Sequence, residues 1–151
     1  MYKIIVYIVI VIFAGNFTFS QGFETNLIVN PGAEDGLNGW TLEEGTFKSV
    51  SEVPDSNIKA YNGNHFFSSH QKKVSKLSQT IDVSFANSNI DSKPIDSGVV
   101  KYNFSLFIAA KNASYNLYFI DNKNNIVGET NKSIKSATFV WAKVPVTGPL
   151  P

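Results

Sequence analysis

Cysteine is missing altogether, and with it go disulfide bridges, a thiol nucleophile, a thiolate zinc site and a lipid-bearing N-terminal cysteine. Arginine is missing too, since all 13 basic residues are lysine, set against 12 acidic ones. A formal charge of +1, with charged residues at 17%, leaves no basic footprint of the kind that nucleic-acid binding requires. The chain contains no Gly-x-Ser-x-Gly, phosphate-loop or His-Glu-x-x-His pattern. Glu43 and Glu44 are adjacent and diverge on a strand, which argues against a glycosidase carboxylate pair across a cleft. The two histidines, His65 and His70, are an odd number of residues apart, so an extended backbone sends them to opposite faces. No segment sustains a helical period. These absences predict a non-catalytic, all-β chain.

What is present is apolar and aromatic: 43% hydrophobic residues, with 12 Phe and 6 Tyr, favour a globular β protein over disorder. A length of 151 residues suits one domain with a sizeable core. Residues 1–20 read as a secretory signal. Lys3 supplies the positive start, residues 4–14 an uncharged apolar run, and Thr18-Phe19-Ser20 the small residues ahead of a new N-terminus at Gln21. The run falls short of the ~20 residues of a comfortable membrane span. An uncleaved anchor is the alternative reading. Residues 21–151 then form one domain, secreted or held at the cell surface, with no stable membrane insertion. Losing Lys3 takes its net charge from +1 to 0.

Alternation places the strands. Residues 77–83 set Leu77, Gln79, Ile81 and Val83 against Ser78, Thr80 and Asp82. Residues 99–110 set Val100, Tyr102, Phe104, Leu106 and Ile108 against Lys101, Asn103 and Ser105, and a period of two rules out a helix there. Tyr115, Leu117 and Phe119 continue the pattern, and residues 121–125 (DNKNN) form a hairpin turn returning through Ile126 and Val127. Residues 137–144 read as a last strand, with Phe139 and Trp141 on one side, and residues 146–151 read as a loop. Residues 26–40 (NLIVNPGAEDGLNGW) read as an entry strand, Leu27-Ile28-Val29, followed by turns at Pro31-Gly32, Asp35-Gly36 and Asn38-Gly39. Short strands at regular intervals predict an antiparallel β-sandwich or jelly roll.

Four motifs stand in register. They are Asn26-Leu27 with Asn30-Pro31-Gly32-Ala33-Glu34 and Gly39-Trp40; Tyr61-Asn62-Gly63-Asn64-His65-Phe66; Leu77-Ser78-Gln79-Thr80-Ile81-Asp82-Val83; and Ile95-Asp96-Ser97-Gly98 with Tyr118-Phe119-Ile120-Asp121. Together they resemble galactose-binding-like jelly-roll domains of secreted bacterial proteins, among them many carbohydrate-binding modules. The resemblance covers most of residues 26–151. Such domains continue past a Val-Pro-x-Gly-Thr-like loop into further strands, so the resemblance implies that the C-terminal strands of the fold are lacking here.

The resemblance implies carbohydrate as partner and, for Glu34, a structural Ca²⁺ shared with backbone carbonyls and an Asp of the last strand, which this sequence lacks. Six to eight oxygens are what a hard cation wants, and Glu34 as a turn cap is the alternative. Trp40 and Trp141 are expected in the core. Tyr61, Tyr115 and Tyr118, near strand ends or loops and each with a polar tip, are the candidate sugar-binding residues, with His65 beside them. Asn103, Asn112 and Asn131 head N-glycosylation sequons that chance supplies freely in an Asn-rich chain. The functional expectation is a secreted, non-catalytic carbohydrate-binding module. The alternatives are a structural or adhesive surface module without sugar binding, and an accessory fragment of a polysaccharide-degrading enzyme.

Overall fold

A computed structural model describes residues 26–53, 57–69, 74–82, 101–136 and 140–151, together with the backbone of 3–9 and 12–13. The described residues hold strands and turns and no helix. Twelve strands follow in order: β1 (Lys3–Val9), β2 (Ile12–Phe13), β3 (Thr41–Glu44), β4 (Lys48–Val50), β5 (Glu52–Val53), β6 (Ile58–Lys59), β7 (Phe66–Ser68), β8 (Lys76–Asp82), β9 (Lys101–Ile108), β10 (Asn112–Ile120), β11 (Ile126–Lys135) and β12 (Ala142–Pro149). One layer is a five-stranded antiparallel sheet in the order β11-β10-β1-β8-β3. The other is built from β12-β9 and β2-β7-β4, with β2 running beside β9. The short β5–β6 hairpin stands apart from both sheets.

One apolar core lies between the layers, and the period of two explains its membership. Leu77 and Ile81 of β8 and Tyr115, Leu117 and Phe119 of β10 face Tyr102, Phe104, Leu106 and Ile108 of β9, Phe67 of β7, and Val144 and Val146 of β12. Fully burying side chains of this size contributes about 1.5–3 kcal/mol each. The faces expected for β8, β9 and β10 are those observed. Val83, the 83–100 segment, His70 and Phe139 lie outside the described residues.

Two expectations need correction. The last strand is Ala142–Pro149, so the stretch read as a terminal loop is largely strand, running antiparallel to β9 from Ala142↔Ile108 to Pro149↔Lys101. Among the described residues β12 pairs with β9 alone, and at an edge the missing N–H of Pro145 and Pro149 breaks no second ladder. The opening Leu27-Ile28-Val29 run is not a strand. Val29 donates its N–H to Gln79 Oε1 (2.9 Å), and its carbonyl accepts from Gln79 Nε2 (3.0 Å). The same amide donates to the Gly39 carbonyl (2.7 Å). A buried glutamine on β8 has taken the place of a neighbouring strand.

The remainder of residues 26–40 is a loop wound around Asn30. Its side-chain amide donates to the carbonyls of Gly36 and Asn38 (both 3.1 Å), and its Oδ1 accepts from Asp35 N (3.1 Å). The Asn30 carbonyl takes the Trp40 indole N–H (3.1 Å), while the Trp40 ring is buried edge-on to Phe67 at 5.3 Å. Left-handed backbone falls on Asn30 (φ 49°) and Ala33 (φ 60°), with Gly36 and Gly39 also positive, and not on Gly32. A β-carbon on Gly39, at φ +81°, would press on Val29 Cγ1 at 2.7 Å. The loop closes onto β4 through Ser49 Oγ, which donates to the Ala33 carbonyl (2.6 Å).

Candidate functional site

A second, smaller apolar cluster sits on the outer side of β9. Because Leu106 and Ile108 face the main core, Phe107 must face out, and the β9–β12 register sets Lys143 directly opposite it. Over Phe107 lies the ring of Tyr61, delivered by the chain just after β6, with centroids 3.9 Å apart and planes 21° apart. Tyr61 remains 51% exposed, so one face of its ring rests on Phe107 and the other looks outward.

Trp141 forms a wall beside this platform. It meets Tyr61 edge-on at 6.2 Å and Phe66 edge-on at 5.6 Å. Its indole N–H donates to the Lys59 carbonyl (2.9 Å), which locks the half-buried ring to β6. Phe66, Ile58 and Ala109 are buried beneath. Ring pairs of this geometry are worth about 0.5–1.5 kcal/mol beyond their buried area, so the chain's own contacts favour this arrangement of the platform. The Lys143 ammonium stands 5.9 Å from the Phe107 ring centroid, a favourable cation–π distance.

The loop that carries Tyr61 is pinned at its other end by Glu34. One carboxylate oxygen accepts the N–H groups of Asn64 (2.7 Å) and His65 (3.0 Å), and the other lies 3.1 Å from His65 Nδ1. The His65 amide, then the His65 ring and the Asn64 amide, hold the Glu34 carboxyl below its ordinary value of 4.5. Gly63 is at φ +72°, and a β-carbon there would collide with the same carboxylate oxygen. Glycine therefore lets the carboxylate approach the backbone.

Glu34 thus acts as a cap on the 61–65 loop. Its partners are N–H groups, whereas a hard cation wants a cage of oxygens. Among the described residues no group of three or more His, Cys, Asp or Glu stands together, and this donor set does not fit calcium.

The four candidate sugar-binding residues separate. Tyr61 and His65 share one loop and one rim. Tyr115 is 3% exposed, packed against Phe104 in the main core, where burial raises its hydroxyl pKa. Its inward phase on β10 takes it from the surface. Tyr118 lies half-buried on the opposite, outer face of β10. Trp40 is core as expected, but Trp141 is not: it lies just ahead of β12 and belongs to the surface cluster. Phe107 and Trp141 are the residues that sequence reasoning missed. The inward phase of Leu106 and Ile108 was the available signal for Phe107.

No family model, curated protein or solved structure matches this chain.

Proposed function

We propose that the chain is a secreted, non-catalytic module of galactose-binding-like jelly-roll type that binds carbohydrate on the Tyr61 platform. The observation that carries this reading is an exposed aromatic ring, stacked on a second ring and walled by a third. The C–H face of a pyranose is apolar and flat, and it loses water against such a ring. The platform has one open face, so it takes one sugar unit at a time along a chain, with modest affinity per site. Around it, the exposed Asn62 and Asn64, with His65 and Lys143, offer donors and acceptors to sugar hydroxyls. The prior pinning of the loop by Glu34 lowers the entropy that binding must overcome.

Affinity electrophoresis in gels containing xylan, galactan, β-glucan or pectin tests the reading. Retardation by at least one polysaccharide is expected, and Tyr61→Ala removes most of it, a loss of about tenfold or more. Because Tyr61 is half-exposed, the variant keeps its fold, which its melting temperature checks. Equal migration of both proteins in every gel would contradict the proposal.

A further inference from the structure

The apolar segment that the sequence marks as a removable leader occupies the middle of a sheet. β1 pairs antiparallel with β10 on one side, from Lys3↔Ile120 to Val9↔Ser114, and with β8 on the other, from Lys3↔Asp82 to Ile8↔Leu77. β8 and β10 therefore run parallel to each other and meet in the sheet only through this strand. Their far edges are already filled, by β3 and β11. Taking β1 away leaves two facing rows of main-chain donors and acceptors about 9–10 Å apart, twice the spacing of neighbouring strands.

The slot has a defined chemistry. On its inner side the flanking strands present Leu77 and Ile81 from β8, with the buried Gln79 between them turned to the Val29 and Gly39 main chain, and Tyr115, Leu117 and Phe119 from β10. On its outer side they present Ser78 and Thr80, and Ser114, Asn116 and Tyr118. An occupant must be extended, must offer N–H and C=O groups along both edges, and must be apolar at alternate positions. A slot without a strand would leave main-chain groups unpaired beside the core, which folded proteins avoid.

We propose that the space between β8 and β10 is a strand-binding site. Its occupant is an extended, apolar strand of seven residues running antiparallel to both walls: Lys3–Val9 in the intact chain, and an incoming peptide strand of the same chemistry once residues 1–20 are removed. Main-chain pairing supplies most of the affinity in such strand addition, and the alternate apolar positions set the register. Processing thereby converts a self-filled sheet into one that captures a strand from outside residues 21–151. This proposal is independent of the carbohydrate reading, because the slot lies in the other layer from the Tyr61 platform.

The absence of cysteine makes the test clean. The full chain carries Asn116→Cys and a protease recognition sequence inserted between residues 21 and 25. It is folded and then cut in the presence of an excess of synthetic peptide with the sequence of residues 3–9, bearing at the Tyr7 position, the register partner of Asn116, a cysteine activated as its thiopyridyl disulfide, so that the thiol at position 116 exchanges with it and releases pyridinethione. The expected result is displacement of the leader fragment and a mixed disulfide at position 116. A peptide with proline in place of Val6 should be trapped about tenfold less, since it lacks an N–H in a two-sided ladder. Equal trapping of the two peptides, or none, overturns the proposal. A second measurement uses the uncut chain: Ile5→Pro with Val6→Pro, two adjacent positions whose N–H groups point to opposite edges of β1, compared with the same pair changed to alanine, should speed amide exchange in both β8 and β10. Unchanged exchange in either strand also overturns it.

Discussion

Gln79 shows how one polar side chain can replace a strand. Its amide makes three main-chain hydrogen bonds, at 2.7–3.0 Å, to Val29 and Gly39 from a buried position on β8. Gln79→Leu keeps the bulk and loses all three. Val29 is itself exposed and can rehydrate, so the expected cost is about 1–3 kcal/mol rather than that penalty for each lost bond. Urea unfolding measures it, and a change under about 0.5 kcal/mol would show that the loop is held by other contacts. Glu34 supports a pH prediction. Its carboxyl pKa is depressed in the folded chain, so the stabilisation is fully present above its ordinary value of 4.5 and is lost as pH falls through the lower folded value. Amide exchange at Asn64 and His65 should therefore quicken, relative to the sheet, in acid below that value. Glu34→Gln should abolish the pH-dependent part, and an unchanged acid profile in that variant would refute the capping role.

At the scale of elements, what the sequence disclosed depended on how many sides of each strand are covered. β8, β9 and β10 each have an apolar face on the core, and alternation revealed them with their phases correct. The 121–125 turn was equally clear. Asp121 Oδ1 accepts the N–H groups of Lys123 and Asn125, both at 2.8 Å, and Asn124 takes a left-handed φ of 64°. The ten residues of β11 were hidden beyond Ile126 and Val127, because this edge strand carries no buried residue and so no period of two. Pro145, Gly148 and Pro149 disguised β12, since proline is a strand breaker except at an edge. The Leu27-Ile28-Val29 run misled in the other direction: its main chain is satisfied by a side chain from far along the sequence. Half of the candidate site was legible. Tyr61 and His65 were found from their loop; Trp141 was assigned to the core because a tryptophan at a rim has the same sequence signature as one inside. The two adjacent phenylalanines of β7 make the division testable. Phe67 points to the main core against Trp40, and Phe66 to the small cluster against Trp141. Both alanine variants should lose about 3–5 kcal/mol, the usual cost of emptying a buried phenylalanine site. In the folded state only Phe66→Ala should alter Trp141 fluorescence, and a change confined to Trp40 would contradict the assignment.

For the whole molecule, the two layers place two surfaces apart. The five-stranded layer holds the strand slot, and the β9–β12 layer carries the aromatic platform on its outer side. With a formal charge of +1 on 151 residues, long-range steering contributes little, and the proposed sugar binding would rest on short-range contact. That is the regime in which an aromatic ring and a sugar face recognise each other. The two tryptophans report on the two environments separately, since Trp40 is sealed in the core and Trp141 borders Tyr61. Nitrogen-15 NMR of the two indole N–H signals, assigned through Trp40→Phe, therefore gives the most direct test as soluble oligosaccharides of galactose, xylose and glucose are titrated in. One of these sugars should shift the Trp141 signal while Trp40 stays still, and Tyr61→Ala should abolish the shift. A Trp141 signal unmoved by every sugar, or moved equally in Tyr61→Ala, would contradict sugar binding on the Tyr61 platform.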